Sequence, residues 1–86
     1  LEKTLTVPVV ITDAPSYANV AIVPQQVEIR YREPFSNPAR DGIRDFQVGI
    51  SYNEILHKDV VKPRILKMPD NILSIRMEPL FVECVL

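Results

Sequence analysis

The side chain most suited to catalysis is the single histidine. His57 has two carboxylates near it in sequence, Glu54 and Asp59. A catalytic imidazole works with an orienting carboxylate and a nucleophile, so one hypothesis for His57 is a hydrolytic role. The interpretation we favour is a solvated histidine at the end of a short helical turn, because the pattern around it predicts only one or two helical turns.

The single cysteine is the second reactive side chain. Cys84 alternates with Val82 and Leu86 on the predicted inward face of the last strand. A buried free cysteine behaves as a small hydrophobe, whereas a reactive thiolate needs a cationic and exposed setting. We therefore expect a structural role for Cys84, and one cysteine excludes an internal disulfide.

The remaining carboxylates and glycines form no familiar cofactor motif. Asp41 and Asp45, like Glu54 and Asp59, are scattered and do not repeat the spacing of a calcium loop. No Cys/His cluster has the spacing of a zinc site, and two glycines cannot make a glycine-rich phosphate loop. The sequence predicts no catalytic residue, no metal and no cofactor, and therefore no enzyme.

Arginine and aromatic side chains make a candidate contact surface for a protein partner. Arg, Tyr and Phe are enriched in the cores of protein interfaces. A solvated sheet face, with the arginines in cross-strand ion pairs to Glu28, Glu78 and Glu83, is the alternative, and the residues alone favour it. The candidate interaction surface consists of Arg30, Arg32, Phe35, Arg76 and Phe81, with Tyr31 and Arg64 as further neighbours. For Phe35, folding back on the core and pointing outward both remain open.

These side chains lie on segments that share a phrase written twice. Pro24-x-x-Val27-Glu28 returns as Pro79-x-x-Val82-Glu83, and each copy ends on an apolar residue. Proline donates no hydrogen bond to a β-ladder and is confined to edges, bulges and strand starts. Each copy therefore predicts a strand that breaks at the proline, resumes, and passes between two small sheets.

Alternating apolar residues predict the other strands of an all-β domain. A helix of one or two turns is predicted after Ser51, because Glu54 has the capping-box spacing. Residues 33–45 predict a surface loop with a tight turn at Asp41-Gly42. Six or seven short, mostly antiparallel strands are expected within one domain, 1–86. The apolar residues expected to face inward are Leu5, Val7, Val9, Ile11, Val27, Ile29, Tyr31, Phe46, Val48, Ile50, Tyr52, Leu73, Ile75, Met77, Leu80, Val82, Cys84 and Leu86.

Composition limits the partners that the chain can have. The 86 residues are 47% apolar and 24% charged, with a net charge of −1, so a thin core is expected. Nucleic-acid-binding domains usually carry a basic patch, and we expect no nucleic acid partner. A small β module that binds RNA or another ligand remains the alternative. No apolar run reaches the ~18–20 residues of a membrane span.

The order of these parts resembles a YbbR-like domain. The resemblance covers nearly the whole chain, and it is carried by the succession of motifs more than by any one of them. The motifs are Leu5-Thr6-Val7-Pro8-Val9, Pro15-x-Tyr17, Val23-Pro24-x-x-Val27-x-Ile29, the strand from Phe46 to Tyr52, Lys67-Met68-Pro69-Asp70-Asn71-Ile72, and Pro79-x-x-Val82-x-Cys84. The chain departs from the family pattern at Tyr31-Arg32, where many members have glycine, and at Val48-Gly49-Ile50-Ser51.

The resemblance implies a non-enzymatic, extracytoplasmic module of a bacterial protein. Domains of this family form tandem repeats behind one amino-terminal membrane helix, and some members regulate a membrane diadenylate cyclase, which makes cyclic di-AMP. By this resemblance the chain is one repeat of a longer, membrane-anchored protein. Its expected partners are a protein, for which such a cyclase is the candidate, and adjacent repeats of the same chain. It would meet the membrane only through an anchor outside these residues.

Overall fold

Eight strands account for most of the residues that the structure describes. This computed structural model describes residues 1–35 and 42–86. The predicted all-β class is confirmed, with eight strands among these residues where six or seven were expected. The strands are β1 (Glu2–Thr12), β2 (Ala21–Val23), β3 (Gln26–Arg32), β4 (Gln47–Ser51), β5 (Val60–Val61), β6 (Arg64–Lys67), β7 (Ser74–Glu78) and β8 (Val82–Val85). One short helix, α1 (Tyr52–His57), and one 3-10 turn, Ile43–Asp45, complete the described elements.

The strands form two sheets of unequal size. The larger has the order β6-β4-β1-β3-β7, and the smaller has the order β2-β8-β5. Strand β1 changes partner along its length: residues 2–8 pair antiparallel with β3, and residues 9–12 pair parallel with β4. Every other pairing is antiparallel.

Both prolines of the repeated phrase lie where the chain passes from one sheet to the other. Pro24 separates β2 from β3, and Pro79 separates β7 from β8; both preceding peptide bonds are cis. The prediction of proline-hinged strands crossing between two small sheets is therefore confirmed.

The two segments that contain the hinge prolines, β2–β3 and β7–β8, also pair with each other in both sheets. Glu28 faces Glu78 in the larger sheet, and Val23 faces Glu83 in the smaller sheet. Val23 is five positions before Glu28, and Glu83 is five positions after Glu78. The register is unchanged across the hinges. One antiparallel ribbon therefore runs through the whole molecule and interrupts its ladder only around the prolines.

The inward faces of the two sheets share one hydrophobic core. Val27 and Val82, the equivalent valines of the two phrases, are each 1% exposed. Burial of apolar surface of this kind is the main favourable term in folding. The buried apolar residues are Val7, Ile22, Val27, Ile29, Tyr31, Phe46, Val48, Ile50, Ile55, Val61, Met77, Val82 and Cys84.

Three residues expected to face inward are instead exposed. Leu73, Leu80 and Leu86 are 67%, 54% and 64% exposed, so these predictions were wrong. Each lies just outside the strand to which its alternation assigned it, since β7 begins at Ser74 and β8 spans only Val82–Val85. Beyond a strand end the pleat no longer dictates which way a side chain points.

The loop after β3 begins inside the protein. Glu33 was expected on the surface, yet its side chain is fully buried and its Oε1 lies 2.7 Å from the Lys3 Nζ. The amino terminus at Leu1 donates to the Glu33 carbonyl at 3.1 Å. An ion pair can hold a carboxylate in the interior, which the local composition could not reveal. The predicted Asp41-Gly42 turn lies outside the described residues because Asp41 is not among them.

Helix α1 begins where the capping pattern predicts. The Ser51 Oγ accepts a hydrogen bond from the Glu54 amide at 3.3 Å, and the helix ends after six residues. Ile55 is its only buried residue. The helix connects β4 of the larger sheet to β5 of the smaller one and turns one apolar side chain into their shared core.

Candidate functional site

His57 ends α1 in an exposed position. Its Nδ1 donates to the Asn53 carbonyl oxygen at 2.8 Å, which occupies one ring nitrogen within the helix itself. The Glu54 carboxylate lies 3.0 Å from the Arg64 guanidinium and pairs with it rather than with the imidazole. The arrangement matches the solvated histidine at a helix end that the sequence favoured.

Cys84 faces inward from β8 and is 5% exposed. Burial raises the pKa of its thiol, because a thiolate is poorly solvated away from water. His57 and Cys84 line the same surface groove, but no hydrogen bond joins their side chains. A buried thiol whose pKa is raised by burial has the character of a packing residue rather than of a reactive thiolate.

The acidic side chains of the described part of the chain do not converge. Across residues 1–35 and 42–86, no group of three or more His, Cys, Asp or Glu side chains could hold a metal ion. Asp45 is used locally, where its Oδ2 accepts from the Gly42 amide at 2.7 Å and closes the 3-10 turn.

The outward face of β1, β3 and β7 brings three of the predicted arginines together. We call this surface the charged face. Because β3 pairs with both neighbours, its outward residues stand in rows that cross three strands. The rows are Glu2–Arg32–Ser74, Thr4–Arg30–Arg76 and Thr6–Glu28–Glu78.

Like charges face each other across β3 and β7 on the charged face. Arg30 is directly opposite Arg76, and Glu28 is directly opposite Glu78. The expected cross-strand ion pairs of these arginines with Glu28 and Glu78 are therefore not what this register gives. Like charges directly opposite on a sheet are destabilising.

One ion pair partly relieves this repulsion along β3. The Arg30 Nε donates to the Glu28 Oε1 at 3.0 Å, two residues away on the same strand. This hydrogen bond, and then the negative charges of Glu28 and Glu78, raise the pKa of the Arg30 guanidinium. Arg32 and Arg76 have no ion pair with any other residue that the structure describes. Their guanidinium groups are available to a partner.

The other predicted surface residues lie apart from this arginine cluster. Phe35 is 83% exposed beyond the end of β3, and Phe81 is 56% exposed between the Pro79 hinge and β8. The two rings are at opposite ends of the β3–β7 pair and line no common groove with the arginines. Tyr31 belongs to the core, with its ring centroid 4.9 Å from that of Phe46. Arg64 lies on β6, the opposite edge of the sheet from β7.

The outward face of the smaller sheet is apolar, which sequence reasoning missed. We call it the apolar face. Val23, Val60 and Val85 are 59%, 50% and 60% exposed, and Val23 and Val60 flank Glu83 on β8. An exposed group of large apolar side chains on a small domain marks a surface suited to protein contacts. The signal was present as apolar residues on both faces of β2, β5 and β8, which is typical of strands covered on both sides.

Comparisons with known proteins leave the geometry as the guide to function. No family model, no curated protein and no solved structure matches this chain. Among the described residues, no helix has the length and apolar character needed to cross a membrane.

Proposed function

We propose that this chain is a YbbR-like domain that acts as a non-enzymatic, extracytoplasmic protein-interaction module in a membrane-anchored regulator of a diadenylate cyclase. The observation that most supports the proposal is the equivalent placement of the two Pro-x-x-Val phrases. Val27 on β3 and Val82 on β8 both follow a hinge proline and enter the same core, one from each sheet. The domain is thus built around the motifs that carry the resemblance.

The two outward faces support a role in contacts with other proteins. The charged face presents Arg32 and Arg76 without ion-pair partners among the described residues, and the apolar face presents three valines. Such features cost solubility or stability in an isolated domain, and they are useful where another surface covers them.

The shape of the domain suits serial linkage to neighbours. Its extents are 46 × 22 × 15 Å, and its Cα radius of gyration is 14.2 Å, above the ~12 Å of a compact chain of this length. Leu1 lies beside Glu33, past one end of the long ribbon, and Leu86 follows β8 at the other end. Domains joined through such termini would follow one another along their long axes.

The proposal is tested in cells that carry the intact parent protein. We expect the cyclase to co-purify with the parent, and cellular cyclic di-AMP to change when the parent is deleted and to return when it is restored. An unchanged cyclic di-AMP level after deletion would contradict the proposed regulation.

Surface variants of the parent show whether this domain makes the contact. We expect Val85→Lys on the apolar face or Arg32→Glu on the charged face to reduce co-purification at least about tenfold, as for residues central to an interface. Lys67→Glu, on the exposed edge strand β6, is the matched control. Equal recovery of the cyclase with all three variants would place the contact outside this domain.

A nucleic-acid-binding or ligand-binding β module is the second candidate, and the clustering of Arg30, Arg32 and Arg76 is the observation that favours it. RNA binding through these groups would weaken steeply with added salt and with Arg76→Glu. A mobility shift with single-stranded RNA that shows neither dependence removes this candidate.

A further inference from the structure

Of the four strands at sheet edges, β7 differs from the others in its charges. The edges are β6 and β7 in the larger sheet and β2 and β5 in the smaller. Strands β2 and β5 carry no charge, and β6 carries only the cations Arg64 and Lys67. Strand β7 has one charge of each sign on its outward face, Arg76 and Glu78.

An exposed strand edge can pair with the same edge of a second copy. Suppose that a two-fold axis normal to the sheet relates the two copies, so that their β7 strands run antiparallel. Directly paired residues of such strands have their side chains on the same face of the sheet. This condition requires that the residue at the axis pairs with its own counterpart in the second copy. For the middle of β7 this residue is Ile75, Arg76 or Met77. Each choice fixes a different set of charge contacts.

Only one of these registers joins opposite charges. A centre at Arg76 places two arginines face to face, and a centre at Ile75 places Arg76 opposite Ser74. A centre at Met77 places each Arg76 opposite Glu78 of the second copy, twice by symmetry. Cross-strand pairs of opposite charge stabilise a sheet, whereas like charges destabilise it.

The same register also complements the strands behind the edge. The row Thr4–Arg30–Arg76 of one copy would continue into Glu78–Glu28–Thr6 of the other, and the converse row would form beside it. The like-charge neighbours that repel one another within a single copy would then meet the opposite sign across the new boundary. On the inward side, Met77 would pack against its own counterpart.

We propose that two copies of this domain associate through their β7 edges, antiparallel and centred on Met77, to form one continuous ten-stranded sheet. Strand β7 ends at Glu78, so in this register only Arg76, Met77 and Glu78 of the two β7 strands face one another, and the area covered is below the about 1,200 Å² of stable interfaces. The association is therefore weak, and it forms at high concentration or where neighbouring domains hold two copies together. The proposal does not depend on the identity of the cyclase or on the YbbR-like assignment.

Charge reversal at the two facing positions tests the register. In sedimentation equilibrium up to about 1 mM, the chain is expected to show a concentration-dependent dimer. R76E and E78R should each weaken it by about tenfold or more, because each replaces two attractive contacts with two repulsive ones. The double variant R76E/E78R should restore it. Arg32→Glu has the same net charge as R76E but lies outside the proposed pairing, so its dimer should match that of the unchanged chain.

A second measurement reports the register through covalent capture. Under mild oxidation M77C is expected to give a disulfide-linked dimer, since the two introduced thiols would face each other. I75C is the matched control, because Ile75 would face Pro79 of the second copy. Native circular dichroism of each variant establishes that it is folded before the comparison.

Several results would overturn the proposal. A chain that is monomeric at about 1 mM, single charge reversals that leave the dimer intact, or a double reversal that fails to restore it would each do so. Equal crosslinking of M77C and I75C would also contradict the Met77-centred register.

Discussion

The two sheets share one ribbon and one core, yet their outward faces are chemically different. The charged face of the larger sheet carries three arginines and three glutamates on exposed β-strands. The apolar face of the smaller sheet carries exposed valines around a single glutamate, Glu83. The hinges at Pro24 and Pro79 mark the boundary between them.

This difference separates what the fold requires from what the surface offers. The inward residues of both sheets have to be apolar, because each sheet gains stability only by burying one face. The outward residues are under no such requirement. Their segregation into a charged surface and an apolar surface gives the domain two distinct places for contact with other molecules.

The largest expected difference is between the inward and outward positions of β8. A thiol at Cys84 should react with iodoacetamide at least about a hundredfold more slowly in the folded chain than in the unfolded chain, because it is buried and its pKa is raised. A thiol introduced by Val85→Cys, together with Cys84→Ser, should react at nearly the same rate in both states. Mass spectrometry of timed samples measures both rates. Rapid native labelling of Cys84 would mean that the inner face of the smaller sheet is open to solvent.

Replacing valine by threonine at four positions compares the inward and outward faces of the sheets through the free energy of unfolding. Valine and threonine have nearly the same shape and strand preference, but threonine adds a hydroxyl that is costly to bury. Val27→Thr and Val82→Thr should each lower the free energy of unfolding by about 2 kcal/mol. Val23→Thr and Val85→Thr, on the apolar face, should change it by less than about 0.5 kcal/mol.

Urea denaturation of the four variants provides the measurement. Similar losses for Val27→Thr and Val82→Thr would agree with equivalent roles for the two repeated phrases. A large loss at only one of them would show that one sheet contributes most of the stability.

Helix α1 links the sheets, and its cap is the next effect in size. Ser51→Ala removes the hydrogen bond to the Glu54 amide and should cost about 1 kcal/mol. Ser51→Asp keeps an acceptor at the cap and is the control. If the two sheets fold as one unit, thermal melts of Ser51→Ala should keep a single transition at lower temperature; two transitions would show that the sheets unfold separately.

Much of the fold was predictable because local signals agreed with the final structure. The alternation at Val27, Ile29 and Tyr31 and the capping pair Ser51 and Glu54 each appear as predicted. The prolines at 24 and 79 indicated the hinges, because proline cannot continue a ladder. These features depend on neighbours in sequence, which the sequence displays directly.

The features that the sequence did not predict depend on contacts between residues far apart in sequence. The buried Glu33 pairs with Lys3 at the start of β1, and no local pattern joins these two residues. The opposition of Arg30 to Arg76 follows from the β3–β7 register, which the sequence did not specify. For the candidate surface, outward alternation correctly grouped the three arginines, but the positions of Phe35 and Phe81 depended on where the strands end.

The smallest expected effect concerns the charged face alone and has the opposite sign. In the isolated domain Arg76 faces Arg30, and Glu78 faces Glu28. The double variant R76E/E78R turns both contacts into pairs of opposite charge while keeping the composition and net charge. The free energy of unfolding should therefore rise by about 0.5 kcal/mol at low concentration and low salt.

Salt and position provide the controls for this gain. Because exposed charges are screened with a Debye length of about 3 Å at 1 M salt, the gain should nearly vanish there. Arg64→Glu with Lys67→Glu, on the other edge of the same sheet, should show no comparable gain, since Arg64 would lose its ion pair with Glu54. If R76E/E78R were neutral at low salt, the like-charge rows would impose no cost on the single copy. The charged face would then differ from the apolar face in composition but not in stored repulsion, and the case for a second copy would depend on the association measurements alone.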